Sequence, residues 1–339
     1  MSKNIVIFSD GTGQEGGKGS NTNIYKLFNM VEDRTSQQIS FYDRGLGTGW
    51  RKLSGNIGGA GISKNIKECY TFIFENFEAG DQIYLFGFSR GAATVRSLSS
   101  FIHYFGIMPK ARPELIDNAY KTYRIEDEFE RERRASVFLS AHHTMWTKIR
   151  FLGCYDAVAA LGMPFKTIDV LISLIPGLKH VFHNFKLSKT VENAYQALAI
   201  DDERQIFHPI LWDPEILSYQ TVKQVWFCGM HTDVGGGYSE QDLSDIPLMW
   251  MKDMAVKHGL VIYPQNTVSI HGDVNGCMHN SRGKGWTKFY RKKRRFWDSK
   301  RADKPIVHSS VLQRKKSVNN EVNPVYKPWI LEREYEVEQ

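Results

Sequence analysis

The sequence predicts an α/β fold in which a mainly parallel sheet carries helices on both faces. Short apolar runs of strand length alternate along the chain with segments of helical periodicity, which is typical of βαβ units. Several of these runs end directly at a polar side chain, as strands do at the functional edge of a parallel sheet. The chain has 339 residues, 42% of them hydrophobic, and this is enough for a large domain with a sizeable core.

The predicted elements follow one another in that alternating order. Strands are expected where β-branched and aromatic residues form short runs, at 4–8, 38–42, 83–86, 149–154 and 224–228. Helices are expected where apolar residues recur at helical spacing, at about 22–31 with Asn21 or Thr22 as the cap, 63–77, directly after 89, within 109–134, 191–199 and 246–258.

The pattern weakens beyond Val261, and this weakening sets the predicted domain boundary. We predict one α/β domain over 1–260, with helical insertions at about 106–146 and 165–200. Residues 261–339 are expected to form a basic extension packed on or flanking that domain. The net charge of +7 has its source there, because 282–316 holds fourteen Lys and Arg against two Asp.

No segment of the sequence predicts export or membrane insertion. The first apolar run is too short for a signal peptide, and no apolar stretch reaches the roughly 18 residues of a spanning helix. The four cysteines show no C-x-x-C spacing, which indicates free thiols in a reducing compartment. We therefore expect a cytoplasmic protein, a location compatible with export by a route that needs no signal.

The most informative stretch is Gly87-Phe-Ser-Arg-Gly91, which matches G-x-S-x-G between a predicted strand and a predicted helix. In that setting Ser89 occupies a sharp turn, and the two glycines remove Cβ atoms that would clash there. The hydroxyl is then exposed above the sheet edge, near the helix N-terminus. The motif predicts a nucleophilic serine.

The ends of the predicted strands supply partners for this serine. Asp156 and His231 each follow an apolar run, and Ser-Asp-His is the chain order of α/β-hydrolases. His231 would accept the Ser89 proton, and Asp156 would fix the imidazole tautomer. This chemistry needs no metal or organic cofactor.

Other residues are candidates for supporting roles at the same edge. The N–H of Arg90 and the backbone around Gly11 and Thr12 are the expected oxyanion donors. Asp233 is the alternative acid, and His308 is the reserve base. Asp10 ends the first strand and is a further supporting candidate. The roles of Asp156 and Asp233 stay open at this level.

A second interpretation concerns the loop after the first strand. Residues 11–16 form a G-x-G-x-x-G run, and Asp43 ends the next predicted strand, as in dinucleotide-binding sites. Further residues separate this run from the following helix, which departs from the dinucleotide pattern. Nucleotide binding is therefore kept as the weaker alternative.

Four motifs together resemble a known family: Asp10-Gly-Thr, the segment from Gly80 to Ala92, Gly153-Cys-Tyr-Asp-Ala-Val158, and His231-Thr-Asp-Val-Gly-Gly-Gly-Tyr238. The chain resembles, over about 4–240, the α/β-hydrolase-like domains known as domain of unknown function 2235. That family includes the phospholipase effectors of bacterial type VI secretion that form the first lipase-effector family. Those effectors carry a large membrane-anchoring module, and we expect none in this chain because of its length.

The resemblance implies an α/β-hydrolase-like fold and a serine esterase or lipase with Ser89 as nucleophile, Asp156 as acid and His231 as base. Family members commonly have Trp before the acid and Thr after it, where this chain has Tyr155 and Ala157. The altered acid motif supports one alternative, a binding or regulatory module that has kept the fold without the chemistry.

The expected substrate is an acyl ester, above all a phospholipid. The apolar segment 168–182 is a candidate lid over the site. The basic segment 286–297 interleaves aromatic rings with cations and suits contact with an anionic membrane, whereas nucleic-acid binding is not expected.

Overall fold

The computed structural model describes residues 2–11, 16–17, 19–45, 57–158, 186–283, 290–317 and 325–339. The strands in this part of the chain are β1 (Asn4–Ser9), β2 (Gln38–Asp43), β3 (Gln82–Phe88), β4 (Ile149–Tyr155), β5 (Asn193–Ala199), β6 (Thr221–Phe227), β7 (Ile306–His308) and β8 (Glu336–Glu338). They form one sheet in the order β2-β1-β3-β4-β5-β6-β7-β8, and each neighbouring pair is parallel.

The α-helices of the described ranges are α1 (Asn23–Met30), α2 (Ile57–Asn76), α3 (Arg90–Phe105), α4 (Leu115–Tyr123), α5 (Glu128–His142), α6 (His231–Gly235), α7 (Asp242–Lys257) and α8 (Ser309–Lys316). Thr22 caps α1 as predicted, because its Oγ1 accepts a hydrogen bond from the Tyr25 N–H. The insertion after α3 contains α4 and α5.

Alternation along the strands divides the core into two layers. Ile5 and Ile7 of β1 point to a cluster that includes the buried faces of α2, α3, α4 and α5. Val6 and Phe8 point to the opposite layer, which α1 and α7 cover. Both faces of a parallel sheet are therefore buried, which confirms the predicted class. The fold is α/β-hydrolase-like.

The strand order places a crevice next to the G-x-S-x-G turn. β1 pairs with β2 on one side and with β3 on the other, so the chain reverses its direction of winding between β1 and β3. Open α/β sheets bind ligands at such a point, beyond the carboxyl ends of the strands. Asp10 follows β1 and Ser89 follows β3, so both residues lie at this crevice.

The helix predicted at 191–199 is wrong, because residues 193–199 form β5 in the middle of the sheet. All seven residues of β5 are buried between β4 and β6. Ala and Gln favour helices in isolation, but pairing on both edges outweighs that weak preference. The predicted helical insertion at 165–200 therefore ends in a strand, and its part up to 185 lies outside the described residues.

The segment beyond 261 contributes to the sheet itself. β7 and β8 extend the sheet past β6 as parallel strands. Val307 of β7 packs in one cluster with Trp226 of β6 and with Trp329, which is buried in the last described range. His308 is the last residue of β7.

Candidate active site

The turn at Ser89 has the geometry that its glycines predict. Ser89 has φ 57° and ψ −119°, a conformation that L-residues rarely adopt, and its N–H donates to the Tyr155 carbonyl at 3.0 Å. A Cβ on Gly87 would lie 2.5 Å from the Gly91 carbonyl oxygen, and one on Gly91 would lie 2.0 Å from the Ser9 carbonyl oxygen. The strained turn therefore depends on both glycines, and it fixes the serine beside the end of β1.

His231 begins the short helix α6 and lies between the other two predicted residues. Its Nε2 is 2.8 Å from Ser89 Oγ, and its Nδ1 is 2.6 Å from Asp156 Oδ2. An ionised carboxylate can only accept hydrogen bonds, so Nδ1 donates to Asp156 and Nε2 is left to accept from the Ser89 hydroxyl. The structure therefore brings Ser89, His231 and Asp156 into one hydrogen-bonded line.

Two aromatic rings flank the imidazole of His231. The ring of Phe88, the residue before the serine, lies 4.7 Å away between centroids, and the ring of Phe207 lies 5.0 Å away. His231 is buried, and burial lowers its pKa below the ordinary value, although the hydrogen bond and charge of Asp156 act in the opposite direction. The imidazole is thus neutral and able to accept a proton near neutral pH.

Asp156 is fully buried and is held by a residue that the sequence did not single out. Arg295 donates from Nη1 to Asp156 Oδ1 at 2.6 Å and from Nη2 to Oδ2 at 2.7 Å. The Ala199 N–H donates to Oδ1 at 3.0 Å. Burial by itself favours the protonated acid, but the charge and hydrogen bonds of Arg295 hold the pKa of Asp156 well below its usual range.

The alternative acid and the reserve base have other partners. Asp233 accepts hydrogen bonds from the Met230 N–H at 2.9 Å and lies 2.6 Å from His279 Nδ1. His308 lies 2.8 Å from the Ser310 hydroxyl and caps α8, and burial lowers its pKa to about 4. The hydrogen bonds of both residues therefore stabilise loops and a helix end.

The loop after β1 lies against the serine without offering a free donor at Gly11. A Cβ on Gly11 would lie 3.6 Å from Ser89 Cβ, but the Gly11 N–H donates to Asp10 Oδ1 at 2.7 Å. In this conformation Asp10 therefore occupies the Gly11 N–H that we expect to donate to an oxyanion. Thr12 lies outside the described residues. Arg90 is the first residue of α3, where its N–H belongs to the unpaired first turn of a helix.

Asp10 organises the entry to this loop. Its Oδ2 accepts hydrogen bonds from the Thr22 hydroxyl at 2.6 Å and from the Tyr42 hydroxyl at 2.7 Å. Burial raises its pKa to about 6, although these bonds act against the increase. Asp10 therefore ties the ends of β1 and β2 to the start of α1.

Asp43, the carboxylate that dinucleotide binding would need, is hydrogen-bonded to groups of the protein itself. Asp43 Oδ2 accepts hydrogen bonds from the Ser9 hydroxyl at 2.7 Å and from Asn65 Nδ2 at 2.9 Å, and Oδ1 accepts one from the Gly45 N–H. A ribose hydroxyl would have to replace these internal donors. Within the described ranges no group of three His, Cys, Asp or Glu side chains is placed to hold a metal ion.

The basic segment, of which residues 290–297 are described, runs along the active site. It follows 203–205, because the Lys293 N–H donates to the Glu203 carbonyl and the Gln205 N–H donates to the Arg291 carbonyl. Residues 291–294 are exposed, whereas Arg295 is only 2% exposed. Arg295 is therefore a buried cation next to exposed ones, and one cation in such a run carries no sequence signal for burial.

Two further expectations concern membranes. The candidate lid at 168–182 lies outside the described residues. In the described part of the chain, no helix is both long enough and apolar enough to cross a bilayer.

Comparison with known proteins gives matches of low sequence identity. An uncharacterized protein of Saccharomyces cerevisiae, YEL023C, is 26% identical over 238 residues, and the chain spans 33% of its length. The crystal structure of an uncharacterized protein from Pseudomonas aeruginosa is similar to this one with a TM-score of 0.49 and 17% sequence identity. The match covers 80% of this chain and 49% of that protein's chain. The structure of the Tle1 effector bound to the VgrG spike of the type 6 secretion system has a TM-score of 0.40 and 21% sequence identity. This match covers 70% of this chain and 52% of the effector chain.

The family comparison covers most of the chain. Residues 3–254 match the family described as type VI secretion system phospholipase effector, Tle1-like, catalytic domain. The matched range includes Ser89, Asp156 and His231 and ends before Arg295. The chain belongs to this family of Tle1-like phospholipase catalytic domains.

Proposed function

We propose that this chain is a serine hydrolase that cleaves carboxylic esters of phospholipids or other acyl lipids. The observation that carries the proposal is the hydrogen-bonded line from Ser89 through His231 to Asp156, on a strained turn at the sheet crevice. A passive serine needs neither a φ of 57° nor a neutral imidazole at 2.8 Å from its hydroxyl. Family membership supports the lipid class of the substrate.

The reaction follows from the direction of the hydrogen bonds. Ser89 Oγ attacks the ester carbonyl carbon while its proton passes to His231 Nε2. The tetrahedral oxyanion meets the Arg90 N–H at the start of α3. His231 then returns the proton to the departing alcohol oxygen, which leaves an acyl group on Ser89. Water attacks this acyl-enzyme while its proton passes to His231, and His231 then returns that proton to Ser89 Oγ as the fatty acid leaves.

We further propose that the basic segment contacts an anionic lipid surface at the border of the site. Residues 291–294 are exposed, and Phe296 is 54% exposed. Tyr290 of the same segment lies 6.1 Å from the Phe207 ring, which contacts His231. Each cation near such a surface contributes about 1 kcal/mol. Sedimentation with phosphatidylserine vesicles should exceed that with phosphatidylcholine vesicles and should fall at high salt; equal binding to both would contradict this contact.

Turnover tests the reaction. Wild-type protein is assayed on short-chain esters, long-chain esters and phospholipid vesicles, beside the variants Ser89→Ala and Ser99→Ala. Ser99 is a buried serine of α3 whose hydroxyl donates to the Arg96 carbonyl, so it controls for loss of a buried hydroxyl. We expect Ser89→Ala to abolish hydrolysis and Ser99→Ala to retain it. Hydrolysis that survives in folded Ser89→Ala would contradict the mechanism, and a wild type inactive on all three would favour the binding module.

A further inference from the structure

Arg295 is a buried arginine whose two Nη atoms are fully hydrogen-bonded, whereas its Nε has no hydrogen-bond partner among the described residues. Both of its Nη atoms donate to Asp156, and each donates a second bond at 2.6 Å, to the Ala199 carbonyl from Nη1 and to the Phe207 carbonyl from Nη2. The side chain is 0% exposed. All four Nη–H donors are therefore used, and they fix the guanidinium plane against the carboxylate.

The same bonds tie the acid to two elements that border the active site. Ala199 ends β5, and its N–H donates to the Asp156 oxygen that Arg295 Nη1 also contacts. Phe207 places its ring 5.0 Å from that of His231. Arg295 thus links the acid, the end of a central strand and one wall of the imidazole pocket, from a segment beyond the residues that define the family.

We propose that Arg295 is a positioning residue of the active site, which keeps Asp156 ionised in one orientation and thereby sets the basicity of His231. The inference rests on the proposed hydrolase function. It makes the segment around 295 a part of the active site, whereas the family match ends at 254.

The charge balance of the buried groups gives the direction of the effect. With Arg295 in place, the positive charge of the guanidinium and the negative charge of the Asp156 carboxylate cancel. A proton taken up by His231 then adds an unmatched positive charge. Without Arg295 the buried acid and imidazole carry one negative charge, and a proton on either of them neutralises it. Proton uptake by the pair therefore moves to higher pH when the guanidinium is removed.

Other charged groups lie near the pair of Asp156 and His231. Asp202 accepts a hydrogen bond from the backbone N–H of His231 at 3.2 Å, and it forms an ion pair with Arg204 at 2.6 Å. Asp201 acts on Arg295 by its charge, and Arg295 acts on His208 in turn. Because the charge of Arg295 acts on Asp202 and His208 as well, its removal also changes their titration, so the test must follow the signal of His231 itself.

The experiment compares Arg295→Met with Arg295→Lys by the pH dependence of kcat/KM. Methionine removes the charge, and we expect the acidic limb to move up by about one to two pH units. Lysine keeps the charge without the planar pair of donors, so we expect a limb near that of wild type with kcat lowered at least about tenfold. Arg124→Met is the matched control, because Arg124 is an exposed arginine at the end of α4, outside the active site and the basic segment.

Two readouts separate failure of this inference from failure of the proposed function. The His231 pKa, measured by NMR of the imidazole, should rise in Arg295→Met even in a protein without turnover. If Arg295→Met does not fold, the Arg295→Lys profile and its His231 pKa decide. A folded Arg295→Met with an unchanged limb and unchanged His231 pKa, or Arg295→Lys with the kcat of wild type, would overturn the inference. Wild-type inactivity with the expected pKa change would instead reject only the hydrolase.

Discussion

Replacing Asp156 by Asn separates the two candidate acids most sharply. The exchange keeps the shape of the side chain and replaces one carboxylate oxygen by an NH2 group. Oδ1 accepts from two groups that can only donate, the Ala199 N–H and Arg295 Nη1. Oδ2 accepts from Arg295 Nη2 and from His231, whose imidazole can change tautomer, so we expect the amide oxygen at the Oδ1 position. The NH2 group then faces His231 Nδ1, at the 2.6 Å position of Oδ2.

The magnitude follows from this orientation. An NH2 group donates, so Nδ1 of His231 must accept and its Nε2 must carry the proton. A protonated Nε2 cannot take the proton of Ser89, and the wrong tautomer lowers kcat by about 10⁴-fold in a Ser-His-Asp site. The variant also leaves the buried charge of Arg295 unmatched, which destabilises the fold by about 3–5 kcal/mol.

The assay is kcat/KM on an ester substrate, with urea unfolding in parallel, for Asp156→Asn beside Asp233→Asn. Asp233 is also buried and next to a histidine, but that histidine is His279, so we expect its variant to retain activity within about tenfold. The reasoning is refuted if folded Asp156→Asn keeps more than a tenth of the activity. It is equally refuted if Asp233→Asn lowers activity as much as Asp156→Asn does.

Three further predictions follow from single contacts. Gly91→Ala places a Cβ 2.0 Å from the Ser9 carbonyl oxygen, so the free energy of unfolding should fall by about 3 kcal/mol or more, measured in urea. kcat/KM should fall toward acid as His231 gains a proton, with a midpoint below the ordinary 6.5 because burial lowers its pKa; a midpoint above 7 in a pH profile would contradict this. His308→Ala removes the cap of α8 and should cost about 1 kcal/mol while kcat/KM stays within twofold; loss of turnover would restore His308 as a base.

Ser89, His231 and Asp156 could be predicted as neighbours because the geometry of a parallel sheet largely determines which residues meet. In a parallel sheet the carboxyl ends of strands meet at one edge, so the first reactive residue after each apolar run is a natural candidate. Choosing between Asp156 and Asp233 needed coordinates, because both follow apolar runs and either could reach a histidine. The distances give Asp156 to His231 and Asp233 to His279.

The burial of Arg295 and the strand β5 could not be predicted from the sequence, and each has its own physical reason. Arg295 lies in a run of cations without periodicity, where a buried arginine and its exposed neighbours look alike in sequence. β5 is composed of residues with a weak helical preference, and it is a strand because β4 and β6 pair with both of its edges. Long-range pairing of this kind leaves little trace in a local window.

The central claim is that Ser89 is an activated nucleophile, and active-site labelling tests it most directly. Wild type and Ser89→Ala are treated with a fluorophosphonate probe, with and without anionic vesicles, and the modified peptide is identified by mass spectrometry. We predict one adduct on Ser89 and none in the variant, because only a serine that shares its proton with His231 reacts readily. Absence of an adduct on folded wild type under both conditions, or an adduct that persists in Ser89→Ala, would contradict the account.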